Sequence, residues 1–274
     1  MESIQIAWSG LHFGEEPVIS GTKGSGTIFF SQCNLKCVFC QNWQISNGIV
    51  KCKNYSVEEV VEIMLSLQGK GAHNINLVSP TVWVYFLKKI IPLAKKRGLT
   101  IPMVWNSNGY EEVRVLRDLK GLIDIYLPDY KYSFNNLGEK YSGVKNYPQK
   151  AQKAILEMQR QVGDLKIERK EGVAERGLVV RHLVLPGLLK NTQKCLEFIR
   201  SISDNICLSL MSQYNPTYKA SKFQEINRCL TQDEYGQVMQ MMKDLDFKFG
   251  WIQEFEGAVK CLNPDFNKEY PFSL

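Results

Sequence analysis

Three cysteines fall within one short run, Cys33-Asn34-Leu35-Lys36-Cys37-Val38-Phe39-Cys40. Three thiolates spaced four and then three residues apart on a tight loop can ligate three irons of a [4Fe–4S] cluster, for which cysteine is the usual ligand. The next cysteine, Cys52, lies twelve residues on, so no fourth thiolate is at hand and one iron stays open. An open coordination position lets a metal act on a ligand and not only carry electrons. A zinc site would need a fourth ligand at zinc spacing, another C-x₂-C or an H-x₃₋₅-H pair. His12, His73 and His182 are too far apart to supply one, so the spacing favours the cluster over zinc. A disulfide framework fits poorly, because 8 cysteines in 274 residues is not disulfide density.

The rest of the composition is that of an ordinary globular chain, with 44% hydrophobic and 23% charged residues. A chain of this length can bury one large core, as α/β barrels commonly do. No apolar run approaches the ~18 residues of a membrane span. The opening Met1-Glu2-Ser3-Ile4-Gln5 has neither a basic segment nor an apolar core, so it does not read as a signal peptide. The chain reads as cytosolic, where thiols stay reduced. The net charge of +6 is mild. One basic cluster, Lys88, Lys89, Lys95, Lys96 and Arg97, reads as a solvated helix face rather than a nucleic-acid site.

Positioning the cysteines requires a scaffold, and apolar strand-like runs alternate with helix-period segments along the chain. Strands are expected at 27–31, 75–79, 101–105, 123–127, 178–185 and 206–211, with a last short one near 251–255. Helices are expected at about 56–68, 83–97, 111–119, 148–162, 193–201 and 231–243. Ser56 with Glu59, and Thr231 with Glu234, have the spacing of capping boxes. Six βα units fall short of the eight of a full TIM barrel. Polar residues gather just after the strands: the cysteine loop, Ser79-Pro80-Thr81, Asn106-Ser107-Asn108, Asp129-Tyr130-Lys131 and Ser212-Gln213-Tyr214-Asn215. Ligands of parallel α/β folds bind at that end of the strands, so these clusters should converge on one face.

The motif CxxxCxxC with Phe39 before its third cysteine resembles the signature of the radical S-adenosylmethionine (SAM) enzymes. The likeness extends over nearly the whole chain. His12–Pro17, Ile19–Gly21, Gly24–Ser31, Cys33–Ser46, Gly71–Val78, Asp124–Lys131, Arg181–Gly187 and Leu210–Tyr214 resemble pyruvate formate-lyase-activating-enzyme-like members of that group. The resemblance implies an α/β fold: an open, partial (β/α)6 barrel of TIM type in a single domain, 1–274. Its core would span about 26–255, with 1–25 a lead-in and 256–274 a tail.

The resemblance also implies roles. Cys33, Cys37 and Cys40 would ligate a [4Fe–4S] cluster whose open iron chelates SAM. The Phe39 backbone would contact the adenine. The Gly-Gly-Glu usual after the second strand is here Ser79-Pro80-Thr81, so the SAM ammonium would rely on backbone carbonyls and Thr81. Asn106 would either hydrogen-bond SAM or cap the third helix. Asp129 and Lys131 match an Asp-x-Lys that binds the SAM carboxylate or a nearby cation, against the reading of a plain surface ion pair. Gln213 joins the cofactor-binding set. Arg181 and His182 alternate on a strand, so only one faces inward; Arg181 matches a substrate-side arginine and is expected inside. Lys131 and Arg181 are the candidate catalytic residues. Glu15 and Glu16 read as a solvated acidic pair.

The activity implied is reductive cleavage of SAM to a 5′-deoxyadenosyl radical that takes a hydrogen atom from a substrate, with a glycine of a glycyl radical enzyme as the first expectation. Modification of a peptide or small molecule is the alternative, with Cys229 or Cys261 as a hydrogen donor. Modification of nucleic acid and a non-enzymatic redox protein are further ones. The electron would come from an external flavodoxin or ferredoxin. Cys52, Cys195, Cys207, Cys229 and Cys261 are too widely separated to read as a second cluster motif.

Overall fold

Alternating strand and helix patterns do fold as βα units. The computed structural model describes residues 3–255 and 263–272. Its elements run β1 (Ile4–His12), α1 (Pro17–Ser20), β2 (Ser25–Phe30), α2 (Trp43–Ser46), β3 (Lys53–Tyr55), α3 (Val57–Gly69), β4 (Ile75–Val78), α4 (Val84–Lys96), β5 (Met103–Ser107) and α5 (Val113–Asp118). They continue with β6 (Ile125–Pro128), α6 (Asn135–Ser142), α7 (Tyr147–Val162), β7 (Lys166–Ile167), β8 (Ala174–Leu183), α8 (Leu189–Arg200), β9 (Cys207–Met211), α9 (Gln232–Asp244) and β10 (Phe249–Ile252).

The strands pair in the order β10-β9-β8-β6-β5-β4-β2-β1-β3, with β7 attached to β8. From β2 to β10 every neighbour on this path is parallel. β1 and β3 add an antiparallel border. Among the described residues β10 and β3 end the path unpaired with each other, so the curved sheet is an open, partial (β/α) barrel. The six strands of the expected βα units are present, and the last short strand expected near 251–255 forms as β10, two residues earlier, the seventh of the parallel set.

Strand alternation gives the sheet two apolar faces. Trp105, Tyr126, Leu178, Val180 and Leu208 face the surrounding helices. Their neighbours Val104, Ile125, Leu127, Val179 and Cys207 face inward, where Val18 and Ile19 of α1 pack against them. The N-terminal segment, expected as a lead-in, is therefore a strand of the sheet followed by a plug in the barrel interior. Both capping boxes form, Ser56 with Glu59 and Thr231 with Glu234. α6 falls between the strand expected at 123–127 and the helix expected at 148–162, where the sequence pattern predicts no element; its Asn- and Gly-containing sequence is a poor helix former, and Leu137 and Tyr141 hold it to the core. Part of the basic cluster is offset by acids: Lys88 pairs with Asp118 at 2.7 Å, and Arg97, just past α4, with Glu62 at 2.5 Å.

Candidate active site

A cavity of about 440 Å³ opens at the C-terminal ends of the parallel strands. Its wall includes Cys33, Cys37, Phe39, Cys40, Ser79, Asn106, Asp129, Lys131, Arg181 and Gln213. The structure thus brings together every expected site residue except Thr81.

The cysteine loop leaves β2 through Gln32, which takes a left-handed φ of 66°. It is pinned by backbone bonds from Lys36 N to Ser142 O (3.0 Å), Val38 N to Tyr141 O (2.8 Å) and Lys219 N to Val38 O (2.8 Å). Each thiol meets a hydrogen-bonding group. Cys33 Sγ accepts from Leu35 N (3.5 Å) and Asn108 Nδ2 (3.3 Å). Cys37 Sγ lies 3.0 Å from Ser142 Oγ, and Cys40 Sγ 3.4 Å from Ser46 Oγ. Burial pushes the Cys37 thiol up to about 12 and raises that of Cys40. Among the described residues no three His, Cys, Asp or Glu side chains are close enough to share one metal ion. A cubane asks for something else, one thiolate per iron with hydrogen bonds to the sulfurs tuning its potential. The donor set here, three separate thiols on one wall with a polar partner each, fits that group.

Across the cavity lies a buried ionic network. Arg181 Nε donates to Asp129 Oδ1 at 2.8 Å, and Lys131 Nζ to Asp129 Oδ2 at 2.6 Å. Arg181 Nη1 reaches Glu15 Oε2 at 3.3 Å, and its Nη2 donates to Asn106 Oδ1 at 2.6 Å. The Asp129, Lys131 and Arg181 side chains are each 15% exposed, far from a surface ion pair. Burial works against every charge here, yet Arg181 and Lys131 hold the Asp129 carboxyl below the usual carboxylate range. The surrounding carboxylates in turn keep Arg181 and Lys131 charged. Burial outweighs Arg181 at Glu15 and Glu16, and both carboxyls are raised.

Strand alternation explains Arg181 and His182. Arg181 points inward, while His182 sits in the outer core with Nδ1 2.7 Å from Tyr130 O and Nε2 3.1 Å from Thr192 Oγ1. Burial lowers its pKa to about 4. Asn106 does not cap the third helix, since α5 begins at Val113 with Glu112 before it; it is buried between Glu15 and Arg181. Gln213 accepts from Gln253 Nε2 at 2.7 Å, and the Phe39 ring sits edge-on to Tyr214 at 5.7 Å.

Two expectations need correction. Thr81 is turned away from the cavity, and its hydroxyl donates to buried Glu111 at 2.7 Å. The cause is local: Ser79 takes a left-handed φ of 58°, and a 3₁₀ turn over Pro80–Trp83 follows. Glu15 and Glu16 are not solvated, with side chains only 10% and 7% exposed inside the barrel. Cys229 is absent from the cavity wall, and Cys261 lies outside the described residues. Residues not singled out from sequence also line the cavity: Glu15, His12, Asn108, and Pro264, Tyr270 and Phe272 from a C-terminal strap. The Gly14-Glu15-Glu16-Pro17 run, inside the segment that carries the resemblance, was the available signal for Glu15.

Comparison with known proteins agrees with this fold. The model of the radical SAM superfamily matches residues 27–199, and the chain belongs to that superfamily. Its cofactors are accordingly a [4Fe–4S] cluster and SAM. The chain is similar to the uncharacterized protein MJ0674 of Methanocaldococcus jannaschii, at 36% identity over 84% of this chain and 64% of that one. It is also similar to the uncharacterized protein MJ0808 of the same organism, at 26% over 68% and 52%. The chain thus spans less than two thirds of the length of either relative. Among solved structures, Streptococcus suis SuiB bound to S-adenosylmethionine aligns over 81% of this chain and 48% of its own, with TM-score 0.56 and 11% identity. The FeFe-hydrogenase maturase HydG from Carboxydothermus hydrogenoformans aligns over 81% and 50%, with TM-score 0.54 and 13% identity. At these identities the likeness is one of fold.

Proposed function

We propose that this protein is a radical SAM enzyme in which Cys33, Cys37 and Cys40 hold the [4Fe–4S] cluster. The observation that carries the reading is that these three thiols share one cavity with the buried Asp129–Lys131–Arg181 network. When bound, the cluster and SAM supply one-electron reductive cleavage to a 5′-deoxyadenosyl radical, which takes a hydrogen atom from the substrate. The protein's own residues bind and orient. Lys131, a buried ammonium in an ion pair, offers its remaining N–H groups to the SAM carboxylate. Asp129 keeps that ammonium charged and aimed. Ser79, Asn106, Gln213 and the Phe39 backbone complete the SAM contacts, and Arg181 faces the substrate side. Radical SAM chemistry draws its electron from an external donor, here a flavodoxin or ferredoxin.

The substrate class we favour is a glycine Cα of a partner protein, supported by the sequence likeness to glycyl-radical-enzyme activases. The test is anaerobic reconstitution with iron and sulfide, reduction, addition of SAM and quantification of 5′-deoxyadenosine. Wild-type protein should produce it and Cys37→Ala should not. A cluster whose electron paramagnetic resonance (EPR) spectrum SAM leaves unchanged, with no cleavage, rejects the reading. A glycyl-radical doublet in a partner incubated with the active enzyme would support the substrate class; cleavage that yields no such signal in any candidate would favour a peptide or small molecule.

A further inference from the structure

We infer that Glu15 is a positioning residue of this site: it locks Arg181 in place and, through Asp129, aims Lys131 at the cysteine loop. The inference rests on the reading that the cavity holds the cluster and SAM. Glu15 lies outside residues 27–199, the part matched to the superfamily.

The geometry is specific. Glu15 Oε1 accepts from Asn76 Nδ2 at 3.1 Å and from Asn106 Nδ2 at 3.2 Å. Its Oε2 accepts from Arg181 Nη1 at 3.3 Å. Arg181 Nη2 closes the ring by donating to Asn106 Oδ1 at 2.6 Å. From Arg181 the chain of bonds runs unbroken to Asp129 and Lys131. Lys131 lines the same cavity as Cys37 and Cys40, so the far end of the chain faces the cysteine loop. An arginine side chain has many rotamers, and its fork is directional only when its donors are met. Here Glu15, Asn106 and Asp129 meet three of them from three different parts of the fold.

Glu15 is itself anchored. Its backbone N–H donates to Ser20 Oγ at 3.1 Å, and α1 behind it is wedged into the barrel by Val18 and Ile19. Glu16 has a different setting. Its Oε1 accepts from Ser209 Oγ at 3.0 Å and stands 4.0 Å from Arg181 Nε, while its Oε2 has no hydrogen-bond partner. The neighbouring carboxylates thus offer an internal control: one grips the guanidinium fork, the other only lies near it.

The test is Glu15→Gln. Glutamine keeps the volume and one acceptor oxygen, but it turns an amide N–H₂ toward Arg181 Nη1, donor against donor. The variant is reconstituted anaerobically, its iron content and melting temperature are measured, and the reduced cluster's EPR spectrum is titrated with SAM. The expected result is full iron loading with SAM binding weakened about tenfold, the loss of roughly one charge-assisted hydrogen bond. Glu16→Gln should weaken SAM binding less than threefold. Arg181→Lys keeps the charge and loses the fork, and should reproduce the tenfold loss even if Glu15→Gln fails to load iron. Wild-type SAM affinity in either Glu15→Gln or Arg181→Lys, or equal losses in Glu15→Gln and Glu16→Gln, overturns the positioning role alone. A loaded wild-type protein whose EPR spectrum does not respond to SAM overturns the functional reading beneath it as well.

Discussion

Replacing Arg181 with Met should cost about 3–5 kcal/mol of folding stability near neutral pH, the range for removing one partner from a buried ionic group. The structure sets the size of the effect. Arg181 answers three carboxylates, Asp129 at 2.8 Å, Glu15 at 3.3 Å and Glu16 at 4.0 Å. Without it Lys131 is the cation left to them, and its ammonium is already bonded to Asp129. Methionine fills much of the space of the arginine stem, so the loss is electrostatic more than steric. For a chain of 274 residues it corresponds to a fall of about 5–9 °C in melting temperature. The pH dependence carries its own sign. Glu15 and Glu16 have raised pKa values in the fold, so the folded state holds protons that the unfolded chain releases. Stability therefore falls as pH climbs from the ordinary carboxylate value through the raised one. Removing Arg181 takes away the charge that limits that rise, and the penalty at about pH 8 should exceed the penalty at about pH 5.5. Anaerobic thermal melts followed by circular dichroism at both pH values measure it. A variant melting within about 1 °C of wild type at both, or one hurt more in acid, would refute the account of a charge-matched interior.

Two further outcomes follow from the geometry. Gly109 has φ +76°, and an added Cβ would overlap the Asp129 carbonyl oxygen. Gly109→Ala should cost about 2–4 kcal/mol in a urea titration, against about 1 kcal/mol for Gly121→Ala, where φ is +80° but the space is open; equal costs would remove the steric argument. His182, with its pKa lowered to about 4, should show imidazole resonances that do not move between about pH 8 and pH 5.5. Its contribution to stability is lost as pH falls from the unfolded histidine value through the lowered one, and a midpoint above pH 6 would contradict its buried setting.

What the chain discloses in sequence is what depends on near neighbours. The strand runs and both capping boxes are local patterns and fold as their spacing implies, and the cysteine triad lies on one loop at the cavity. Position after a strand was enough to gather Asn106, Asp129, Lys131 and Gln213 at one cavity. Glu15 was illegible because its partner Arg181 stands 166 residues away. An acidic pair looks solvated until the barrel closes around it. Thr81 was misread because a backbone reversal at Ser79 redirects the whole turn, and nothing in Ser79-Pro80-Thr81 announces a left-handed serine. α6 escaped notice because its stability comes from packing and not propensity, although its last residue, Ser142, touches Cys37.

The C-terminal strap is tied to the segment that carries the thiols. Gln44, four residues after Cys40, clasps it by both amide atoms, donating to Asp265 Oδ1 at 3.1 Å and accepting from Phe266 N at 2.8 Å. Trp8 Nε1 holds its far end at Glu269 O, 3.2 Å away. The segment that carries the thiols and the segment that lines the cavity from the C-terminal side are therefore fastened to each other, and the strap cannot leave the cavity without breaking bonds to residues that follow Cys40.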